Sequence, residues 1–239
     1  MGEAKRRRAE ESSLVWHHTS ILRTNRIWMT GVIELEGRSA GVEHPAFGEV
    51  FTSATMRRAL IDFPALAWFT SNLEVPKCLQ HFDVHGKDRR TGEPKVIELG
   101  PDAAAAFALN RVALGFPIAA TPVCPWPDHY GYLTNEGRAL NVSARDVGDE
   151  PDQWWVSEQP VDVMLATSFR ASPSLMNTKL ERQDGYIEDI RRMVTLCRKF
   201  PDTVIPPTWV GSAAHRALMK NGGDVSRWGP LGRTMSRQA

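Results

Sequence analysis

Cysteine is scarce in this chain: there are three residues, Cys78, Cys124 and Cys197, far apart and odd in number. That excludes a disulfide framework and leaves no C-x-x-C pair to clamp a metal, so a reducing, cytoplasmic setting is expected. Long hydrophobic runs are lacking as well. Residues 103–109 form a short apolar stretch of mostly small side chains, well under the roughly 18 residues of a spanning helix, so no membrane partner is expected. Charge of one sign is not in excess either. The 29 basic and 28 acidic residues leave a net +1, which supplies no overall attraction to nucleic acid or an anionic bilayer. The N-terminus is basic from Lys5 to Arg8, but polar residues follow where a signal peptide needs an apolar core. Also missing are a G-x-x-x-x-G-K phosphate loop, a G-x-G-x-x-G turn, H-E-x-x-H and G-x-S-x-G, which removes the main sequence signatures of four large enzyme classes.

What is present is ordinary globular composition, 42% hydrophobic and 24% charged over 239 residues, enough for one domain with an extension. Residues 14–19, Leu-Val-Trp-His-His-Thr, are rich in β-branched and aromatic side chains and read as a strand with Leu14, Trp16 and His18 on one face. Ser20 is placed to cap a short helix carrying Ile21, Ile27 and Trp28, and Gly31 is placed to stop it. Residues 32–35 read as a second short strand. Residues 65–71 read as another, with Trp68 and Thr70 on one face and Phe69 and Ser71 on the other. Residues 83–95 hold a charged turn between strand ends. Pro101 and Asp102 sit where a helix would start, and 111–116 fits either a helical continuation or a strand. Four prolines between 117 and 127 mark a rigid connection, and 128–153 reads mostly as loop. Residues 154–158 and 161–165 read as strands separated by a proline bend. From Tyr186 the spacing of Ile187, Ile190, Met193, Val194 and Cys197 is helical, with Arg191, Arg192 and Arg198 outside.

Two constellations carry chemistry. Alternation along a strand would bring His81, Asp83 and His85 to one face, a donor set for zinc or iron and hence for a metal-dependent hydrolase; the competing reading is a solvated strand face beside the charged turn. The second is distributed over three strands: His17-His18-Thr19-Ser20, then a short helix and glycine; Trp68-Phe69-Thr70-Ser71-Asn72; and Glu158 after Trp155-Val156-Ser157. This order resembles the ADP-ribosyltransferase-like superfamily, in the branch whose first strand carries H-x-T. The resemblance covers about residues 14–165 in the order of elements and a dozen positions in motif letters. It implies an α+β fold with a split antiparallel β-sheet core that holds nicotinamide adenine dinucleotide (NAD) as substrate. Residues 1–12 would be a flexible basic N-terminus, 13–168 the domain, and 169–239 a C-terminal helical extension and tail. Three departures stand out: His17 and His18 are adjacent, leaving open which faces the cleft; Trp68 stands where many relatives place a tyrosine; and Val156 occupies the position where protein-modifying branches carry Gln or Glu, which speaks against arginine-directed transfer.

The implied activity is transfer of ADP-ribose from NAD to a protein or nucleic-acid acceptor. Glu158 would stabilise the oxocarbenium charge that develops as nicotinamide departs. His18 and Thr19 would hydrogen-bond the ribose, Trp68 or Phe69 would stack on the nicotinamide ring, and Thr70 and Ser71 would line the cleft. Arg111 would pair with the diphosphate or, structurally, with a carboxylate. Each residue has a plain alternative: His18 as a core histidine with a backbone partner, Glu158 as a surface residue, Trp154 and Trp155 as packing. A binding module that keeps the fold without catalysis is the alternative of a different class.

Overall fold

The structure, a computed structural model, describes residues 11–19, 21–35, 42–44, 48–52, 64–80, 82–87, 91–99, 112–171, 180–183 and 186–199. The readings of Ser20 as a cap, of Arg111, of His81, and of segments 1–10, 101–110 and 201–239 lie outside them.

The described chain is a mixed α+β fold in which every strand pairing is antiparallel. Its strands are β1 (Leu14–Thr19), β2 (Val32–Ile33), β3 (Val42–His44), β4 (Gly48–Thr52), β5 (Ala67–Thr70), β6 (Phe82–Lys87), β7 (Pro94–Leu99), β8 (Val112–Pro117), β9 (Cys124–Pro125), β10 (Trp154–Ser157), β11 (Val161–Asp162), β12 (Ser168–Ala171) and β13 (Glu181–Arg182). The helices are α1 (Ile21–Thr30), α2 (Asn135–Asp146) and α3 (Tyr186–Lys199). The main sheet runs β13-β12-β8-β1-β5-β10-β9, with a four-stranded sheet β3-β4-β6-β7 and a small pair β11-β2. The strands that flank the charged segment are antiparallel neighbours, β6 pairing with β7 from Phe82↔Leu99 to Lys87↔Pro94.

The centre of the main sheet is covered on both faces, and β1 shows how its sequence divides them. All six of its residues are buried. Val15 joins the larger core with Phe69, Leu114, Phe116 and Phe169, while Leu14 and Trp16 join a second cluster with Ala113 and Leu180, closed by Leu73 and Val75. Gly115 lets Trp16 lie across β8, because a Cβ there would meet the indole at 2.9 Å. Burial on both faces also resolves 112–116 as a strand. Val112, Ala113, Leu114 and Phe116 are all buried, so the segment has no period of two to read.

Helix α3 is part of this domain. Ile190, Met193, Val194 and Cys197 sit in the larger core, and burial of Ile190, Met193 and Val194 contributes about 1.5–3 kcal/mol apiece. Strands β12 and β13 extend the main sheet to Arg182, so the fold continues past the boundary expected at 168. Its other edge is tied as well: Glu11, expected to be flexible, pairs with Arg170, whose guanidinium lies 5.5 Å from the Trp16 ring. Gly31 ends α1 as expected. Its φ is +73° and its N–H reaches the Ile27 carbonyl at 2.8 Å, and Arg198 of α3 bonds its carbonyl at 3.2 Å and Asp162 at 2.9 Å.

One expectation is overturned outright. Residues 128–153 are not mostly loop, since α2 occupies 135–146. Thr134 caps it by accepting the Gly137 N–H at 2.9 Å. Its inward residues are Gly137, Leu140, Asn141 and Ala144, a helical spacing with one large apolar side chain, which is too weak a stripe to stand out in sequence. The strand expected over 161–165 is shorter, giving way at Val163 to a 3-10 turn.

Candidate functional site

The three motif-bearing strands are neighbours: β1 pairs with β5 and β5 with β10. Their direction decides which ends meet. Thr70 stands opposite both Trp16 and Trp154, while Ala67 stands opposite Ser157. The His18-Thr19 end of β1 and the Glu158 end of β10 therefore share one end of the ladder. Thr70 and Ser71 belong to the other, roughly 10 Å away at the rise of a strand. The three strand ends do not converge, because the middle strand runs antiparallel to both of its neighbours. The hydroxyls of Thr70 and Ser71 are used locally, Thr70 accepting from the Asn72 N–H at 3.0 Å and Ser71 donating to the Gln153 carbonyl at 3.4 Å.

Phe69 is also corrected as a stacking platform. It is 3% exposed, set edge-on to Phe116 at 5.5 Å and beside His17 at 5.6 Å, in the larger core. His18 lies on the opposite face with Trp16, so His18, Phe69 and Glu158 do not line one surface. His17, on the Phe69 side, donates from Nδ1 to the Trp68 carbonyl at 2.9 Å. His18 points its Nε2 at the Asn72 carbonyl at 3.4 Å, which requires the proton on that nitrogen. This is the backbone-partnered core histidine of the plain reading. Burial, partly opposed by the Asn72 carbonyl and reinforced by His17, lowers its pKa to about 4. His18 is thus neutral at pH 7. Its Nδ1, like the Thr19 hydroxyl on the other face, is buried with no hydrogen-bond partner among the described residues.

Trp68 stands in an aromatic cluster. Its ring is 5.0 Å from Trp126 and edge-on to Trp154 at 5.6 Å, so packing occupies the surface expected to take nicotinamide. That cluster supports a structure the sequence did not reveal. Residues Pro127–Gly131 form one π-helical turn, a widened geometry that recurs at functional sites. Buried Trp126 donates to Asn141 Oδ1 at 2.7 Å, and Asn141 Nδ2 donates to the Gly131 carbonyl at 2.7 Å. One amide of α2 thereby fixes both ends of the turn. Glycine is required at 131 and 137, where a Cβ would come within 2.6 Å of Trp126 Nε1 and 2.1 Å of the Tyr130 carbonyl.

The turn presents His129 and Tyr130 to Glu158. His129 Nε2 lies 3.1 Å and the Tyr130 hydroxyl 3.3 Å from the same carboxylate oxygen, Oε1. Their rings meet edge-on at 4.5 Å. Oε2 takes no hydrogen bond from any described residue, and the side chain is 62% exposed, so this oxygen faces solvent while the other is held. Cys124, on β9, completes the group by donating to the Val156 carbonyl at 3.6 Å. Burial first and Glu158 second raise its thiol pKa, which keeps the sulfur protonated and argues against a thiolate nucleophile. Tyr130 is raised too, by burial and then by its bond to Glu158 and the charges around it; it stays a hydroxyl donor.

Set beside protein-family models, curated proteins and solved structures, the chain matches none. Among the described residues no three His, Cys, Asp or Glu side chains are grouped to hold a metal; His81 lies outside them. No helix among them is long and apolar enough to cross a membrane. His129 and Tyr130, which hold Glu158, are not among the candidate residues that the sequence offers. The signals that could have found them are the Pro127 and Gly131 that bracket them and the Thr134 cap that follows.

Proposed function

We propose that the protein transfers ADP-ribose from NAD to an acceptor, with Glu158 as the carboxylate that stabilises the ribosyl cation. The observation that carries this reading is the shared end of three adjacent strands, where His18-Thr19 and Glu158 stand on either side of β5. Breaking the bond between nicotinamide and ribose builds positive charge on the sugar, and a fixed anionic oxygen lowers that barrier. Glu158 has the necessary form, with Oε1 tethered by His129 and Tyr130 and Oε2 open. At the same end, on the Trp16 face of the sheet, His18 Nδ1 is buried without a partner among the described residues, an unusual cost that a ligand hydroxyl would relieve. The α+β antiparallel architecture is compatible with a fold of ADP-ribosyltransferase-like type. Trp68 supports the site from the tryptophan cluster beneath the turn.

The test is release of nicotinamide from NAD by purified protein, with and without a chelator. Turnover insensitive to the chelator supports the reading. Turnover abolished by the chelator and restored by zinc would move the chemistry to His81, Asp83 and His85. Calorimetry without any NAD binding at about millimolar dinucleotide would leave a non-catalytic module.

A further inference from the structure

Glu158 and His129 each serve the other. The carboxylate that receives the Nε2 proton bond at 3.1 Å fixes the imidazole in one tautomer, with its lone pair on Nδ1. This is the arrangement by which a carboxylate orients a histidine base. No described residue bonds His129 Nδ1, and the side chain is 31% exposed, so that lone pair is left for an incoming group. The π turn, locked by Asn141, holds both rings in place.

We propose that His129 is the base that accepts the acceptor's proton, and that the acceptor is accordingly an oxygen nucleophile, a hydroxyl or water. This rests on the reading of Glu158 as the ribosyl-stabilising carboxylate. The step balances with what the site and NAD supply. The bond from the ribose anomeric carbon to nicotinamide breaks, and its electron pair goes to the ring nitrogen, which leaves neutral. A lone pair of the acceptor oxygen forms the new bond to that carbon, and the oxygen's proton passes to His129 Nδ1.

The surroundings disfavour a guanidinium acceptor. Such a group carries its proton to very high pH and enters as a cation, which an imidazole base cannot deprotonate. Val156, two residues before Glu158, is fully buried and apolar, and Glu158 Oε1 is already taken. A neutral hydroxyl needs only a base, which His129 supplies.

The experiment follows nicotinamide release and product partition with NAD as donor, adding methanol as a hydroxyl acceptor and agmatine as a guanidinium acceptor. Wild-type protein is expected to form the hydrolysis and methanolysis products and no agmatine adduct. His129→Ala should lose about 10²-fold or more in kcat, the usual worth of a general base, with NAD affinity by calorimetry held within about twofold and activity partly restored by added imidazole. A structural role would not give imidazole rescue. An unchanged kcat in His129→Ala, a loss that imidazole cannot restore, or efficient agmatine modification would overturn the assignment of His129 while leaving Glu158 in place. Wild-type protein that fails to bind NAD would overturn the site reading and this proposal together, and the calorimetry separates that case from the others.

Discussion

Acidification should destabilise this protein by way of His18. The imidazole is buried, with its Nε2 on the Asn72 carbonyl and its pKa lowered from 6.5 to about 4, chiefly by burial. In the unfolded chain it returns to the ordinary value. Between those two values the unfolded state holds a proton that the folded state refuses, so stability is full above about pH 6.5, falls as pH drops, and stops falling from this cause below about pH 4. The whole loss is about 3 kcal/mol, at 1.36 kcal/mol for each tenfold change in proton affinity. That is a large share of the ~5–15 kcal/mol that holds a typical domain together. The measurement is denaturant unfolding, followed by tryptophan fluorescence, at several pH values from about 7.5 to about 4. His18→Gln retains an amide donor for the Asn72 carbonyl and cannot titrate. Carboxylates protonate in both proteins, so the difference between the two curves isolates His18. Wild type should lose about 3 kcal/mol more than the variant over that range. Parallel curves would refute the burial of His18 as the source of acid sensitivity.

Other positions give sharp expectations. Asn141→Ala removes the amide that joins Trp126 to Gly131 and should cost about 2 kcal/mol or more in denaturant unfolding; Asn141→Asp, which keeps only the acceptor for Trp126, should recover part of it. Ending the chain after Thr178 removes α3 and its share of the main core, so calorimetry should find no cooperative transition near that of the full chain, and an unchanged melting temperature would make the helix an independent arm. Gly31→Ala meets both a φ of +73° and the Arg198 guanidinium at 2.8 Å, and should lower stability by at least about 1–2 kcal/mol by the same unfolding assay.

The sequence was most legible where a single physical signal dominated. The β-branched and aromatic run of β1, the glycine that ends α1 and the wide apolar stripe of α3 each declare one structure. Helix α2 escaped because its buried face is Gly137, Leu140, Asn141 and Ala144: it is held by a cap and an amide network rather than by greasy residues. The candidate site was half legible. Glu158 stands where a carboxylate with one free oxygen is useful, but its partners His129 and Tyr130 come from a turn whose geometry depends on distant Asn141. The grouping of Thr70 and Ser71 with Glu158 failed for a different reason. Strand ends can be read from sequence, whereas the direction of each neighbour is set by the sheet, and here β5 runs opposite to both β1 and β10. Likewise alternation put Phe69 and Trp68 on separate faces without saying that both would be packed, one against Phe116 and the other among tryptophans.

The role proposed for Glu158 is tested most directly by Glu158→Gln, which keeps the size of the side chain and an oxygen for His129 and Tyr130 while removing the charge. Nicotinamide release from NAD by the variant should fall by about 10²-fold or more, while NAD affinity measured by calorimetry stays nearly constant, because the lost interaction belongs to the transition state. Nicotinamide release at the full wild-type rate from Glu158→Gln would contradict this role and return Glu158 to the protein surface.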